Sequence, residues 1–541
     1  MSVAAGWFDR VFVDLGRQMR WSFLPPLMVY FSYGVSGLTA IVGTFFVKDY
    51  LGLSAAFLAG LTFWAGIPWA LKMPLGHLVD LIWRWKAALI FLGAGLIAAS
   101  LGIMYLLISQ TAMMEQILPR SAWYVMAVIL APCGYVVQDA VADAMSVEAV
   151  PVVDDHGKPI PEDESKAMHT TMQTLGRFAL ISGTVAVALL NIIMFAGAED
   201  LPQAEKRAIY AQIYLIALAI PVLSVSGVLL AAIERRMRAA AMRARGVDEA
   251  AINSAFARPG EPPEINHWYF TGGLAFVVLT LVLGLGQVPF AQELIFAGSM
   301  AVVVFLMLQL TRSLTPRQAR ALFGTALIIF VFRAVPLPGP GYSWFAIDEL
   351  RFDEQFLSVL SLITSVLTLV GIILLRPLMA KWPITSIVIL LSLAAGILSL
   401  PNIGLFYGIQ DWTAPRTGGV VDARFIAIID TAAESPLGQV AMIPMLAWIA
   451  RNAPAHLKAT FFAVMASFTN LALSAASLGT KYLNQIFEVT REVRDPNSAT
   501  VTVPADYSQL GPLLITVAVI GVAAPLLTIA LVQRSRLRTQ D

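Results

Sequence analysis

Fourteen stretches of mostly apolar residues run through the chain. They cover about 22–46, 53–75, 87–108, 122–145, 170–195, 209–233, 268–286, 290–311, 319–336, 356–376, 383–403, 423–449, 457–481 and 511–533. A helix needs about 20 such residues to cross a bilayer, so each stretch predicts one spanning helix. The pattern predicts an all-α polytopic membrane protein with about 14 spans. The stretches within 268–311 are joined by a very short link and read as a hairpin.

Composition narrows the function. Of 541 residues 58% are hydrophobic and 13% are charged, about half the roughly 25% charge of a soluble domain. This excludes a soluble globular enzyme, a disordered chain and a nucleic-acid-binding protein. The net charge of +1 says nothing about partners. The one cysteine, Cys133, excludes a disulfide framework or a Cys-based metal site. There is no phosphate-binding Gly-Lys-Ser/Thr loop, so no built-in ATPase is expected. His77, His156, His169, His267 and His456 are scattered in or beside loops. No catalytic residue, metal or cofactor is expected. The first stretch is too long for a cleavable signal peptide and has no small-residue cleavage site after it, so it reads as a retained signal anchor.

The basic residues set the orientation. With the N-terminus inside and an even number of spans, 23 of the 36 Lys and Arg fall in segments on the inner side. The outer side receives 8, namely Lys48, Arg120, Lys206, Arg207, Arg351, Arg416, Arg491 and Arg494. The expectation is a plasma (inner) membrane protein with both termini in the cytoplasm.

The longest inner connector, 234–267, begins ERRMRAAAMRAR and ends in a Pro/Gly-containing stretch. It reads as a basic helix at the membrane surface followed by a linker. It gives a layout of 1–233 as a six-helix half, 234–267 as linker, 268–311 as an inserted helix pair, and 312–541 as a second six-helix half. Six plus six spans around a central loop is the layout of the major facilitator fold, whose halves are parallel repeats. The inserted pair has only Gln292 and Glu293 as a notable polar site and reads as peripheral, facing lipid. Between spans two and three, Gly76, Asp80, Arg84 and Lys86 match the facilitator loop pattern of Gly, a spacer, Asp and bases. Asp80 there would latch a gating state by pairing with a base on a neighbouring helix; an ordinary interfacial charge cluster is the plainer reading.

An ionisable group at mid-membrane costs on the order of 3 kcal/mol even on the lenient insertion scale, so each needs a partner, water or a role. Lys72 lies between Pro68 and Pro74, which bend the span and free backbone carbonyls; snorkelling is its alternative. Asp139 and Asp143 are four apart, on one helical face, with Glu148 beyond. Two close carboxylates suit proton coupling, or parallel hydrogen bonds from adjacent ring N–H groups; an ion pair with Lys72 or Arg177 is the structural alternative. Arg177, one turn after Gln173, and Arg333 are candidates to hold a substrate carboxylate bidentately; for Arg333, near its helix end, snorkelling is the alternative. Asp430 and Glu434 are again four apart. Ser467, Asn470, Ser474 and Ser477 make a polar stripe that also permits close helix packing. Tyr30, Tyr33 and Trp344 are candidates to stack on a flat ring.

These residues occur in runs that resemble a known family. Pro68-Trp69-Ala70-Leu71-Lys72-Met73-Pro74-Leu75-Gly76 with Asp80 is similar to the second helix of the folate–biopterin transporter family. Gln138-Asp139-Ala140-Val141-Ala142-Asp143-Ala144 with Glu148 resembles its fourth-helix signature. Arg333-Ala334-Val335-Pro336, Tyr342-Ser343-Trp344-Phe345 and Asp348 to Phe352 resemble its seventh helix and following loop. Asp430, Met442-Ile443-Pro444 and Ala459 to Ala463, with Ser467 and Asn470, resemble its tenth and eleventh helices. The similarity covers most of the chain in order, outside about 235–315 and the tail. It implies a secondary carrier (a symporter) for folate, pterin or related organic anions, with the substrate, protons and membrane lipid as expected partners. Lys72, Asp139, Asp143, Arg177, Asp430 and Asn470 would bind substrate. Asp139, Asp143 and Glu434 would couple protons, and Gly76, Asp80 and Arg84 would gate. A facilitator for another small solute, or a non-transporting scaffold of the same fold, stays open from the residues alone.

Overall fold

The computed structural model describes residues 19–538 apart from 52, 71, 152, 154–157, 159, 199–200, 257–266, 286–287, 312–314, 438–457 and 495–500. It is a bundle of membrane helices. The first span is α1 (Leu24–Val35) and α2 (Ala40–Tyr50), joined by a 3-10 turn. The second is α3 (Ala55–Ala70) and α4 (Lys72–Leu81). Then come α5 (Lys86–Ser109), α6 (Arg120–Glu148), α7 (Glu162–Met194), and α8 (Gln203–Ala217) with α9 (Ala219–Ala244). A short α10 (Glu249–Ala255) precedes the hairpin α11 (His267–Leu285) and α12 (Ala291–Thr311). The later group is α13 (Pro316–Arg333), α14 (Pro340–Asp348), α15 (Glu354–Lys381), α16 (Ile384–Leu398), α17 (Leu400–Phe406), α18 (Ala423–Glu434), α19 (Lys458–Ile486) and α20 (Leu510–Arg534). A two-stranded ribbon, β1 (Val493–Arg494) and β2 (Val501–Val503), lies between α19 and α20.

Every predicted apolar stretch coincides with helix, the twelfth as far as Leu437. Eight described helices are long and apolar enough to cross a membrane, and three shorter apolar ones join them. α13 falls outside that set through its three arginines, and α18 and α19 because residues in or beside them lie outside the described ones.

One span breaks where proline demands it. The seventh span runs further than its apolar stretch: after Arg333 it breaks, then resumes as α14 with Pro340 at its start and Gly339 at φ +79°. The break is bridged from α19, whose Thr480 hydroxyl accepts from the Leu337 amide (2.9 Å) and whose Asn484 amide donates to Pro338 (3.1 Å).

The basic run after residue 233 differs from the expectation of a surface-lying helix. It continues α9 outward without interruption, because no Gly or Pro stands between Gly227 and Gly246. Gly246 at φ +76° ends it, with Val247 N–H returning to the Met242 carbonyl at 3.1 Å. α10 folds back so that Ile252 packs on Met242 and Val153.

Within the first group α5 packs on α6 and α7 on α1. A Cβ on Gly134 would lie 2.6 Å from the Gly93 carbonyl and 2.7 Å from Ile97, so the close α5–α6 crossing needs glycine at both positions. Gly134→Val is expected to destabilise by about 1–3 kcal/mol or more through overpacking. A lower melting temperature of the detergent-solubilised protein checks it, and an unchanged one would refute the close-packing argument.

Two seams join the early and late groups: α3 with α19, and α7 with α15. Leaving the inserted pair aside, these are spans two and eleven, and five and eight. Exchanging the groups maps one seam onto the other, as parallel repeats require. Where α1–α2 ends, opposite the face at which it begins, Lys48 Nζ pairs with Asp348 Oδ1 at 2.6 Å and Tyr210 donates to Glu354. Ile347 and Leu357 enter the apolar cluster of Phe46, Leu107 and Ile213 there. This far face is closed across the groups.

The inserted pair corrects one expectation. Leu274, Val282, Phe305 and Leu308 do face outward. Its inner side, however, lies on the α3–α19 seam, and Gln292 and Glu293 bond to both of those helices.

Candidate functional site

The buried Gln138 sets the rotation of α6. Its amide donates to Ile90 O (3.3 Å) on α5 and Ser224 Oγ (2.9 Å) on α9. The next residue points about 100° away, which turns Asp139 towards α4. There Lys72 Nζ lies 2.5 Å from Asp139 Oδ2 and 2.9 Å from Asp143 Oδ2. The two carboxylates hold it in place. The sequence alternatives therefore merge: Lys72 does not snorkel away, and one ammonium serves both acids.

Asp143 also accepts from the Tyr30 hydroxyl at 2.9 Å. Its side chain is 49% exposed, that of Asp139 16%. Tyr33 on α1 packs against Trp69 (5.8 Å between centroids) and edge-on against Tyr135 (5.6 Å). Arg177 on α7 is exposed, within electrostatic reach of Asp139 and Tyr33. Four spans thus contribute to one cluster: two acids, one shared lysine, an outlying arginine and an aromatic wall.

Charge counting defines its chemistry. The two ionised acids carry −2 and Lys72 +1. Arg177 at the edge supplies a further +1; with a ligand anion on Arg177, one negative charge remains, to be met by a proton or by hydrogen-bond donors of the ligand. Glu148, further along α6, is paired separately with Lys86 at 2.7 Å, and Lys86 Nζ sits 4.1 Å from the Trp83 ring centroid.

The later group carries a second cluster. Asp430 on α18 is 6% exposed. Its Oδ2 accepts from Asn402 on α17 at 2.8 Å, and Asn402 accepts from the Tyr342 hydroxyl on α14. Asp430 Oδ1 is buried without a hydrogen-bond partner, and so is Arg333 Nε at the break after α13. Glu434 is exposed one turn beyond Asp430. Asn470 is half-buried on α19, one turn before Ser474, which lies 3.9 Å from the Cβ position of Gly66. That close crossing suits the packing reading of the serine stripe.

Among the described residues no bond joins the Asp430 cluster to the Lys72 cluster. Trp344 is no open stacking surface: it is 2% exposed and covered by Arg491 at 5.5 Å. Gly76 lies on α4 with open space where a Cβ would be. The side chains of Asp80, Arg84 and Gln173 lie outside the described residues. Sequence reasoning missed Asn402 and gave no role to Tyr342 or Gln138, which stand only within the family-like runs. Asn402 and Gln138 had a signal, as amides inside apolar stretches.

Residues 164–540 match the BT1 family. A folate-biopterin transporter of Synechocystis sp. is 24% identical over 521 residues, 94% of this chain and 83% of that protein. Among solved structures, a POT family transporter in complex with 5-aminolevulinic acid aligns over 97% of this chain and 96% of its own, with a TM-score of 0.59 at 14% identity. The nucleoside transporter NupG aligns over 96% and 100%, with a TM-score of 0.51 at 12% identity. These likenesses give the fold, that of the major facilitator carriers, and the relatives are transporters rather than enzymes. With the greater part of its length matched, the chain belongs to the BT1 family and is an integral membrane transporter of small molecules.

Proposed function

We propose that this chain is a proton-linked secondary carrier for folate- or pterin-like organic anions, working by alternating access. The observation that carries this reading is one lysine shared by two carboxylates beside an aromatic wall. A pterin-like ring presents adjacent N–H donors that one carboxylate accepts as a parallel pair, while its flat face lies against Tyr33 and Trp69. The substrate's own carboxylates go to Arg177 and, from the other group, Arg333. A proton on Asp139 or Asp143 cancels the remaining negative charge and frees Lys72 from one partner, which links occupancy to protonation. Asp430, Glu434 and Asn470 complete the site from the later group.

The moving units are 1–233 and 312–541, with 234–267 as connector and 268–311 as an added pair. The Lys48–Asp348 pair on the far face supports a cycle in which the near face is the one that opens while this pair holds. On the basic-residue count that face is cytoplasmic, in a plasma membrane with both termini inside. Gly76, Asp80 and Arg84 would latch it on closing.

Binding of folate, 5-formyl-folate and biopterin to the purified protein, between about pH 5.5 and 8 where buried carboxylates commonly titrate, tests the reading. Tight binding that strengthens towards acid pH and loses that dependence in Asp139→Asn is the expected result. No binding to any of the three would redirect the search to another small anion. In proteoliposomes, uptake is expected to rise as the outer pH falls below the inner, because the proton enters with the substrate. Uptake indifferent to the gradient would remove the proton from the cycle.

A further inference from the structure

The inserted hairpin covers a cavity of about 430 Å³ on the α3–α19 seam. Trp64, Phe290, Gln292, Glu293, Lys481 and Tyr482 line it. The Gln292 amide donates to Gly60 O on α3 at 3.1 Å. Glu293 Oε1 accepts from Lys481 Nζ at 3.0 Å and from the Tyr482 hydroxyl at 2.5 Å, both on α19. Both of these donors use the same oxygen. Glu293 Oε2 and Gln292 Oε1 are buried and have no hydrogen-bond partner. Two unmet acceptors on neighbouring residues of one cavity call for a ligand that donates at least two hydrogen bonds.

Depth narrows the ligand. Gly60 is five residues into α3 and Lys481 five from the end of α19, about 8 Å from the far-face ends at 1.5 Å per residue. That is the boundary between headgroups and acyl chains, where Trp and Tyr collect. On the rim Phe290 is 71% exposed and takes φ +59°, a left-handed conformation strained for a ring-bearing residue. The outer surface of the hairpin is apolar.

We propose that this cavity binds the headgroup of an ethanolamine-type phospholipid from the far leaflet. Its ammonium donates to Glu293 Oε2 and Gln292 Oε1 beside the aromatic faces of Trp64 and Tyr482. Lys481, with N–H groups beyond the one given to Glu293, faces the phosphate. The acyl chains run down the hairpin's apolar side. A choline headgroup has the same charge but no N–H, so it leaves both acceptors unmet.

The test compares ethanolamine and choline phospholipids of identical acyl chains, added to the full-length protein in detergent, with retention read by native mass spectrometry. Retention of the ethanolamine lipid at least tenfold above choline is expected, with the preference lost in Gln292→Leu and in Glu293→Gln. Trp64→Leu, which leaves both acceptors in place, is expected to weaken retention and keep the preference. Equal retention of the two lipids overturns the proposal, as does a preference that survives in both acceptor variants. Glycerophosphoethanolamine competing at equal concentration would make the occupant a soluble amine and overturn the lipid assignment. Each readout is binding, so none depends on the transported solute.

Discussion

Lys72→Met is expected to reduce uptake at least thirtyfold while the protein still inserts and folds. The substitution keeps an unbranched side chain in the second span but leaves Asp139 and Asp143 facing each other without their cation. Removing one partner of a buried pair costs about 3–5 kcal/mol. Lys72 is a third exposed, so solvent screening brings this nearer about 2–3 kcal/mol. At about 1.4 kcal/mol per decade that is roughly a factor of thirty to one hundred. Neutralising the acids separates their roles. Asp139→Asn is expected to act more strongly than Asp143→Asn, because Asp139 is the less exposed and the closer to Lys72, and Asp143 keeps its bond from Tyr30. The double variant Lys72→Met with Asp139→Asn is expected to regain thermal stability over Lys72→Met alone without regaining uptake. Proteoliposome uptake beside melting temperatures checks the set. Wild-type uptake in Lys72→Met would remove the shared lysine from the mechanism.

The spans were legible because a run of about twenty apolar residues is a local signal. The acid pair was legible for a similar reason: four-residue spacing puts Asp139 and Asp143 on one face, and each intramembrane charge demands a partner. Lys72 was then a candidate partner before any contact was known. Tyr30, 113 residues from Asp143, carries no mark of that bond in its own neighbourhood. Tyr342 is likewise an ordinary aromatic until Asn402 and Asp430 are placed beside it. The straight run of α9 was misread because basic residues suggest a surface helix, while backbone continuity depends on the absence of Gly and Pro. Gln292 and Glu293 looked peripheral because the hairpin is apolar on its outer side. Which helices the inner side meets is a tertiary fact, and periodicity does not contain it.

Lys48→Met is expected to raise the population of the far-face-open state by about five- to a hundredfold. Lys48 and Asp348 come from opposite groups, 2.6 Å apart, with side chains 15% and 25% exposed. The Tyr507 hydroxyl supports Asp348 at 2.5 Å. The pair is intact only while the far face is closed, so its loss destabilises that state alone. A partly buried pair of this kind is worth about 1–3 kcal/mol, which sets the range through about 1.4 kcal/mol per decade. Tyr210→Phe removes the neighbouring bond to Glu354 and is expected to shift the balance the same way by less, since no ion pair is lost. Ile347 lies in the apolar cluster under this link. In a background without Cys133, the one native cysteine, Ile347→Cys reports opening as its rate of reaction with an impermeant maleimide added from the far side. Faster labelling in both variants, reversed by excess substrate if substrate closes the far face, places the closure energy in these two links. Labelling unchanged by Lys48→Met would place it in the apolar contacts of Phe46, Leu107, Ile213, Ile347 and Leu357, and the ion pair would then only align the two groups.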